Sequence, residues 1–116
     1  MANAAKIEQM YELINTGDVD GFVGYLSDDF VDHETGPGIP PTKEGARQLF
    51  NILIAAFPDL RFDIEDIVES GDKVVARARV TGDHKGDLFG APPSGKRIDV
   101  QAIDIVRFDD TYGRVE

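Results

Sequence analysis

A single carboxylate interrupts an apolar pattern near the end of the chain, in residues 96–109 (KRIDVQAIDIVRFD). Because side chains alternate along a β-strand, one face of this segment carries Ile98, Val100, Ala102, Asp104, Val106 and Phe108. Burial penalises the charged form of Asp104, which should therefore hold a proton more tightly than an ordinary aspartate. Enzymes use such groups as proton donors or bases. The spacing equally allows a structural Asp104 that hydrogen-bonds a buried backbone group or pairs with a nearby arginine.

Composition narrows the classes of partner that this chain can have. Its 116 residues suit one domain, and its net charge of −10, from 22 acidic and 12 basic residues, repels phosphate backbones and anionic membranes. We therefore expect neither nucleic acid nor a membrane as a partner. There is no cysteine, which excludes disulfides and thiolate nucleophiles and fits a cytoplasmic protein.

The sequence pattern of the first half of the chain predicts helices and one short strand. Residues 4–15 form an amphipathic pattern, Asp18 is placed to cap a second short helix, and Thr42 is placed to cap a third over residues 43–57. Between them, residues 30–34 (FVDHE) are typical of a short strand, and a loop rich in glycine and proline follows.

The sequence pattern of the second half of the chain predicts β-strands. The predicted strands are residues 61–69, 73–82 and 96–109, with a tight turn at 70–72 and a longer connection at 83–94. A turn at 110–113 leads into residues 114–116, which are expected to begin a further strand. Helices followed by strands predict an α+β domain with the helices on one face of a curved antiparallel sheet.

Five segments of the sequence resemble the SnoaL-like polyketide cyclases of the nuclear transport factor two-like superfamily. They are NTGDVDGF, FVDHE, AAFPDLRFDIEDIVESGDKVVAR, TGDHKGDLFGAPPSGKRI and AIDIVRF. The resemblance implies a single domain over residues 1–116 that ends before the family's last strand. It implies a cone, in which three N-terminal helices pack on the concave face of the sheet and enclose an apolar pocket for a small apolar molecule.

The resemblance also implies a homodimer and a reaction that needs no metal or cofactor. The founding cyclases close a ring of an aromatic polyketide by an intramolecular aldol step. Their homodimers form through the sheet, whose outer face here offers Val75, Ile103 and Ile105 as candidate contacts. The catalytic aspartate of those cyclases lies beyond the end of this sequence, so it is not assigned here.

Site positions carry over from the cyclases residue by residue. Two inward polar side chains of their penultimate strand, a glutamine and a histidine, fall on Ala102 and Asp104, so both differ here. The apolar lining of their pocket falls on Ile14, Leu49 and Leu53. The replacement of both polar positions speaks against polyketide cyclisation itself.

Ketosteroid isomerase, in the same superfamily, offers a second comparison. Its oxyanion-hole aspartate falls on Asp104, its base falls on His33, and its oxyanion-hole tyrosine falls on Met10, one residue from Tyr11. With two of these three residues replaced, steroid isomerisation is not expected. His33 and Asp104 could still face each other across the pocket and remove a proton beside a carbonyl, as aldol cyclisation or isomerisation requires.

Three interpretations remain open from the sequence. The chain is a cofactor-free enzyme for a small apolar carbonyl compound, a module that binds a hydrophobic ligand without chemistry, or a dimeric domain whose pocket only reflects packing. Arg77 is expected to pair with Asp66 or Asp104 or to decorate the outer sheet face, and His84 to be structural or exposed. No metal site is expected at residues 32–34, because neighbouring side chains of a strand point to opposite faces.

Overall fold

The computed structural model describes residues 2–33 and 38–108. Its elements are α1 (Ala2–Asn15), α2 (Val19–Val23), α3 (Lys43–Ala56), β1 (Arg61–Ser70), β2 (Lys73–Asp83) and β3 (Arg97–Arg107). This order confirms the predicted α+β architecture. The sequence predicted both ends of every element except α2. For these five elements, the observed ends lie within two residues of the predicted ends.

The predicted helix caps form as the sequence indicated. The Asp18 side chain accepts a hydrogen bond from the Gly21 N–H at 2.8 Å, and the Thr42 hydroxyl accepts one from the Gly45 N–H at 3.1 Å. Each cap satisfies a backbone donor that the first turn of a helix leaves without a partner. The caps therefore set where α2 and α3 begin.

The sheet is antiparallel in the order β1-β2-β3, so β2 is its central strand. A bulge between Ile64 and Asp66 interrupts the pairing of β1 with β2. On β2 the inner face is buried and made of small or medium side chains, namely Val74, Ala76, Ala78 and Val80. Small side chains at the centre of the sheet let α1 pack closely across β1 and β2.

The hydrophobic core lies between the helices and this inner face. Its largest fully buried side chains are Phe108, Ile7, Ile14, Leu26, Val23 and Val74. Those of Ile7 and Ile14 stand on α1 at helical spacing, which is the amphipathic pattern that the sequence showed. Within the described part of the chain, no helix is long and apolar enough to cross a membrane.

The predicted strand over residues 30–34 is wrong for residues 30–33, which adopt no regular structure. Val31 and His33 are exposed there, and the Asp32 N–H donates to the carbonyl of Pro41 at 3.2 Å. A strand forms only where a second strand can complete its ladder of hydrogen bonds, and the described sheet contains only β1, β2 and β3. Residue 34, the turn at 110–113 and the strand at 114–116 lie outside the described residues.

Candidate acid–base site

Asp104 lies near the middle of β3 and is half-buried. It stands opposite Ala76 of β2, whose side chain is fully buried on the inner face of the sheet. The small side chain of Ala76 leaves room above the sheet for the carboxylate. Asp104 therefore faces the helices, as the alternation in the sequence predicted.

Asp104 accepts a hydrogen bond from Tyr11 of α1, whose hydroxyl donates to the carboxylate oxygen Oδ2. Tyr11 lies four residues after Ile7 and three before Ile14, so it belongs to the inward face of the helix. Its side chain is buried, and its ring lies 5.4 Å from that of Phe62, centroid to centroid. The contact joins residues 93 positions apart in the chain.

The surroundings of Tyr11 raise the pKa of its phenol far above the ordinary value. Burial contributes most, followed by the negative charge of Asp104 and by the hydrogen bond that the phenol donates to it. Tyr11 therefore keeps its proton at neutral pH and acts as a hydrogen-bond donor. This hydrogen bond restrains the orientation of the Asp104 carboxylate and joins it to a hydroxyl group.

A cavity of about 420 Å³ opens between α1 and β1, and we call it the α1–β1 cavity. Its apolar lining comes from Tyr11, Phe62, Ile64 and Ile67. The remaining lining residues are polar or charged, namely Glu8, Glu12, Asn15, Arg61, Asp63, Glu65 and Asp66. Asp104 is not among the lining residues, so Tyr11 connects the cavity to the carboxylate.

His33, the other predicted catalytic residue, is exposed in the segment that follows α2. It makes no hydrogen bond or ion pair with any residue in 2–33 or 38–108. The described hydrogen bonds connect Asp104 to Tyr11 rather than to His33. The catalytic roles of Asp104 and His33 remain predictions.

Of the five predicted ligand-binding residues, all but Leu49 lie in or beside the hydrophobic core. Met10 and Ile14 are buried, whereas Leu49, Leu53 and Ala102 are partly buried. None of the five lines the α1–β1 cavity. Their contact with a ligand remains a prediction.

Tyr11 is the residue that the sequence reasoning missed. The signal for it was present, because Tyr11 follows the position that corresponds to the isomerase tyrosine and shares a helix face with Ile7 and Ile14. The sequence did not indicate that α1 and β3 lie close enough for Tyr11 to reach Asp104.

The structure decides among the alternatives for Arg77. Its Nε lies 3.0 Å from Asp66 Oδ2, and its Nη1 lies 3.3 Å from Glu65 Oε1. Arg79 makes a similar pair with Asp99, at 2.7 Å from Nε to Oδ1. These ion pairs lie at the solvent-exposed surface of the sheet. Of the alternatives for Arg77, the structure therefore shows the pair with Asp66, and Asp104 is bonded to the Tyr11 hydroxyl instead.

His84 has a structural setting, as predicted. Its Nδ1 lies 3.1 Å from the Ser94 hydroxyl, and its ring lies 5.3 Å from that of Phe57. The contact with Ser94 connects the two ends of the loop between β2 and β3, and the contact with Phe57 packs this loop against the end of α3. In the part of the chain that the structure describes, no three His, Asp or Glu side chains are grouped as a metal ion would require.

Comparison with known proteins places these features in a family. A family described as SnoaL-like polyketide cyclase matches residues 5–116. IdmH from Streptomyces antibioticus, a proposed polyketide cyclase, is 29% identical, with a TM-score of 0.82 over 99% of this chain and 87% of that chain. AclR from Streptomyces galilaeus, a proposed hydroxylase, is 26% identical, with a TM-score of 0.83 over 98% of this chain and 70% of that chain. No curated protein matches the chain significantly.

Proposed function

The chain belongs to the SnoaL-like polyketide cyclase family, and from that premise we propose that it catalyses cofactor-free acid–base chemistry on a small apolar carbonyl compound. The proposed reaction is aldol cyclisation or a related isomerisation. Similarity of fold does not choose between these reactions, because proteins that share this fold carry different proposed activities. The choice of acid–base chemistry depends on the site.

The observation that supports this proposal is the pair formed by Asp104 and Tyr11. The Asp104 carboxylate is half-buried on an otherwise apolar strand face, and the hydrogen bond from Tyr11 restrains its orientation. A proton acceptor held in one place by a hydrogen bond is positioned to act on a weakly acidic C–H bond.

In the proposed reaction, the C–H bond beside the carbonyl breaks and its proton passes to the Asp104 carboxylate. The electron pair of that bond forms an enolate. In cyclisation, the enolate carbon bonds to a second carbonyl carbon, and the resulting alkoxide takes the proton back from Asp104. In isomerisation, the proton returns to a different carbon. Neither reaction changes the overall oxidation state of the substrate, so neither needs an oxidant or a reductant.

Proton exchange tests this proposal even though the natural substrate is unidentified. In deuterated water, the protein should accelerate hydrogen–deuterium exchange beside the carbonyl of at least one compound in a panel of aromatic and alicyclic ketones, followed by NMR. Asp104→Asn should lower that rate by about 100-fold or more. Asp29→Asn, at an exposed turn, is the matched control and should leave it unchanged. Equal rates for the wild type and Asp104→Asn would overturn the proposal.

A non-catalytic role in binding a hydrophobic ligand is the second candidate. It is favoured by the exposure of His33, which leaves Asp104 without the histidine expected to work with it. A pure binding protein would shift the NMR signals of a ketone probe without accelerating its exchange. His33→Gln tests the role of the histidine separately, since it should lower the exchange rate only if His33 takes part in catalysis.

We also propose that the protein forms a homodimer through the outer face of its sheet. Val68, Val75 and Ile105 stand opposite one another across the three strands, and Ile103 lies two residues before Ile105. We call these four residues the outer apolar band. Ile103 is 63% exposed and Ile105 is 72% exposed, which is unusual for isoleucine in a single chain.

A further inference from the structure

We propose that Tyr11 is the group that meets a ligand in the α1–β1 cavity, and that it relays a proton between that ligand and Asp104. This inference rests on the proposed acid–base function. It adds a catalytic residue that the sequence comparison did not indicate, and it assigns the ligand to one cavity.

The position of Tyr11 is the first argument. It lines the cavity and also donates its hydrogen bond to Asp104, whereas Asp104 does not line the cavity. Along the contacts that the structure shows, a molecule in the cavity therefore reaches the carboxylate through Tyr11. The carboxylate supplies the negative charge, and the tyrosine supplies the contact.

The rigid support of Tyr11 is the second argument. Its ring packs against Phe62, with an angle of 37° between the ring planes. The backbone of Phe62 is held in turn by the side chain of Asn15, one turn further along the same helix, through bonds of 2.9 and 2.7 Å. A proton relay needs its oxygen atoms held in place, and this packing provides that support.

The relay carries one proton from the ligand to Asp104 and later returns one proton from Asp104 to the ligand. When the ligand loses a proton, the C–H bond breaks, the Tyr11 oxygen takes that proton, and the Tyr11 O–H proton passes to Asp104 Oδ2. The products are an enolate, a neutral tyrosine and a protonated Asp104. When the later alkoxide is protonated, Tyr11 gives up its proton and recovers one from Asp104. No free phenolate forms, which agrees with the raised pKa of Tyr11.

The test compares Tyr11→Phe with Tyr25→Phe in the exchange assay, with acetophenone and 1-tetralone as probes. Tyr25 is a matched control, because its hydroxyl also donates to a side chain, that of Gln9, but at the surface. We expect Tyr11→Phe to lower the exchange rate by about 100-fold or more, and Tyr25→Phe to leave it unchanged. Tyr11→Phe combined with Asp104→Asn should be no slower than either variant alone, because the two residues act as one unit.

Other outcomes separate the relay from the proposed function. If Asp104→Asn abolishes exchange and Tyr11→Phe retains it, the relay is overturned and the function stands. If the wild type accelerates no exchange, the function fails. The placement of the ligand in the α1–β1 cavity has its own test. Nuclear Overhauser contacts between the probe and the Tyr11 ring are expected, and their absence would overturn that placement.

Replacement of Tyr11 by fluorotyrosine covers the case in which Tyr11→Phe does not fold. Fluorine makes the phenol more acidic and leaves its shape nearly unchanged. A relay predicts an altered exchange rate and a shifted pH profile with fluorotyrosine at position 11. An unchanged rate and profile would reduce Tyr11 to a positioning residue and overturn the relay.

Discussion

Asn15 and Phe62 are joined by two hydrogen bonds that imitate the pairing of neighbouring strands. The side-chain Nδ2 of Asn15 donates to the Phe62 carbonyl at 2.9 Å, and the Phe62 N–H donates to Oδ1 of Asn15 at 2.7 Å. In the described sheet, β1 pairs with β2 on one side only, so the amide satisfies backbone groups on its open side. One side chain at the end of α1 thereby holds the helix against the sheet.

Asn15→Leu should therefore destabilise the protein by about 1–3 kcal/mol, because it leaves both backbone groups of Phe62 without their partner. Urea denaturation followed by circular dichroism measures this change. Asn51→Leu, at an exposed position of α3, is the control and should change stability by less than about 0.5 kcal/mol. Equal effects of the two substitutions would show that the Asn15 contacts contribute little.

Tyr11 should make the protein less stable at alkaline pH. The phenol ionises near pH 10 in the unfolded chain but keeps its proton in the folded protein, where its pKa is raised by burial and by Asp104. Its contribution to stability is complete below about pH 10 and declines as the pH rises further. Above that pH, the free energy of unfolding should fall by up to about 1.4 kcal/mol per pH unit more in the wild type than in Tyr11→Phe. Parallel curves for the two proteins in urea denaturation would contradict this.

Gly86 permits a close approach between α3 and the loop that follows β2. A Cβ atom at this position would lie 2.2 Å from the Ala55 carbonyl oxygen, and the Gly86 N–H donates to the Ala56 carbonyl at 3.0 Å. Gly86→Ala should lower stability by about 1–3 kcal/mol, which thermal and urea denaturation can measure. The control is Gly24→Ala, where the nearest atom would lie 3.2 Å from the new Cβ, and it should be tolerated better. A neutral Gly86→Ala would mean that the loop can shift without loss.

The outer apolar band predicts how the proposed homodimer can be broken. Ile105→Glu would place a charge within the outer apolar band and should weaken association by about tenfold or more. Sedimentation equilibrium at micromolar concentration measures the dissociation constant. Gln101→Glu, at an exposed position of the same strand, adds the same charge outside the band and should have a smaller effect. A monomeric wild type at this concentration would contradict the proposal.

Local patterns in the sequence determined most of the secondary structure. The caps at Asp18 and Thr42, the apolar spacing of α1 and the alternation along β2 each depend on residues within a few positions of one another. Such short-range preferences act before any tertiary contact forms, which is why the bounds of the helices and strands could be predicted closely. The same alternation correctly placed Asp104 on the inner face of β3.

Contacts between distant segments were decided only in the tertiary structure. Residues 30–33 have a strand-like pattern, but no strand among the described residues pairs with them, so the prediction of a strand failed there. The partner of Asp104 was equally hidden, because Tyr11 lies 93 positions away and an arginine on the neighbouring strand fitted the sequence as well. Sequence spacing specifies which face a side chain occupies, but the packing of α1 across the sheet decides which hydroxyl reaches the carboxylate.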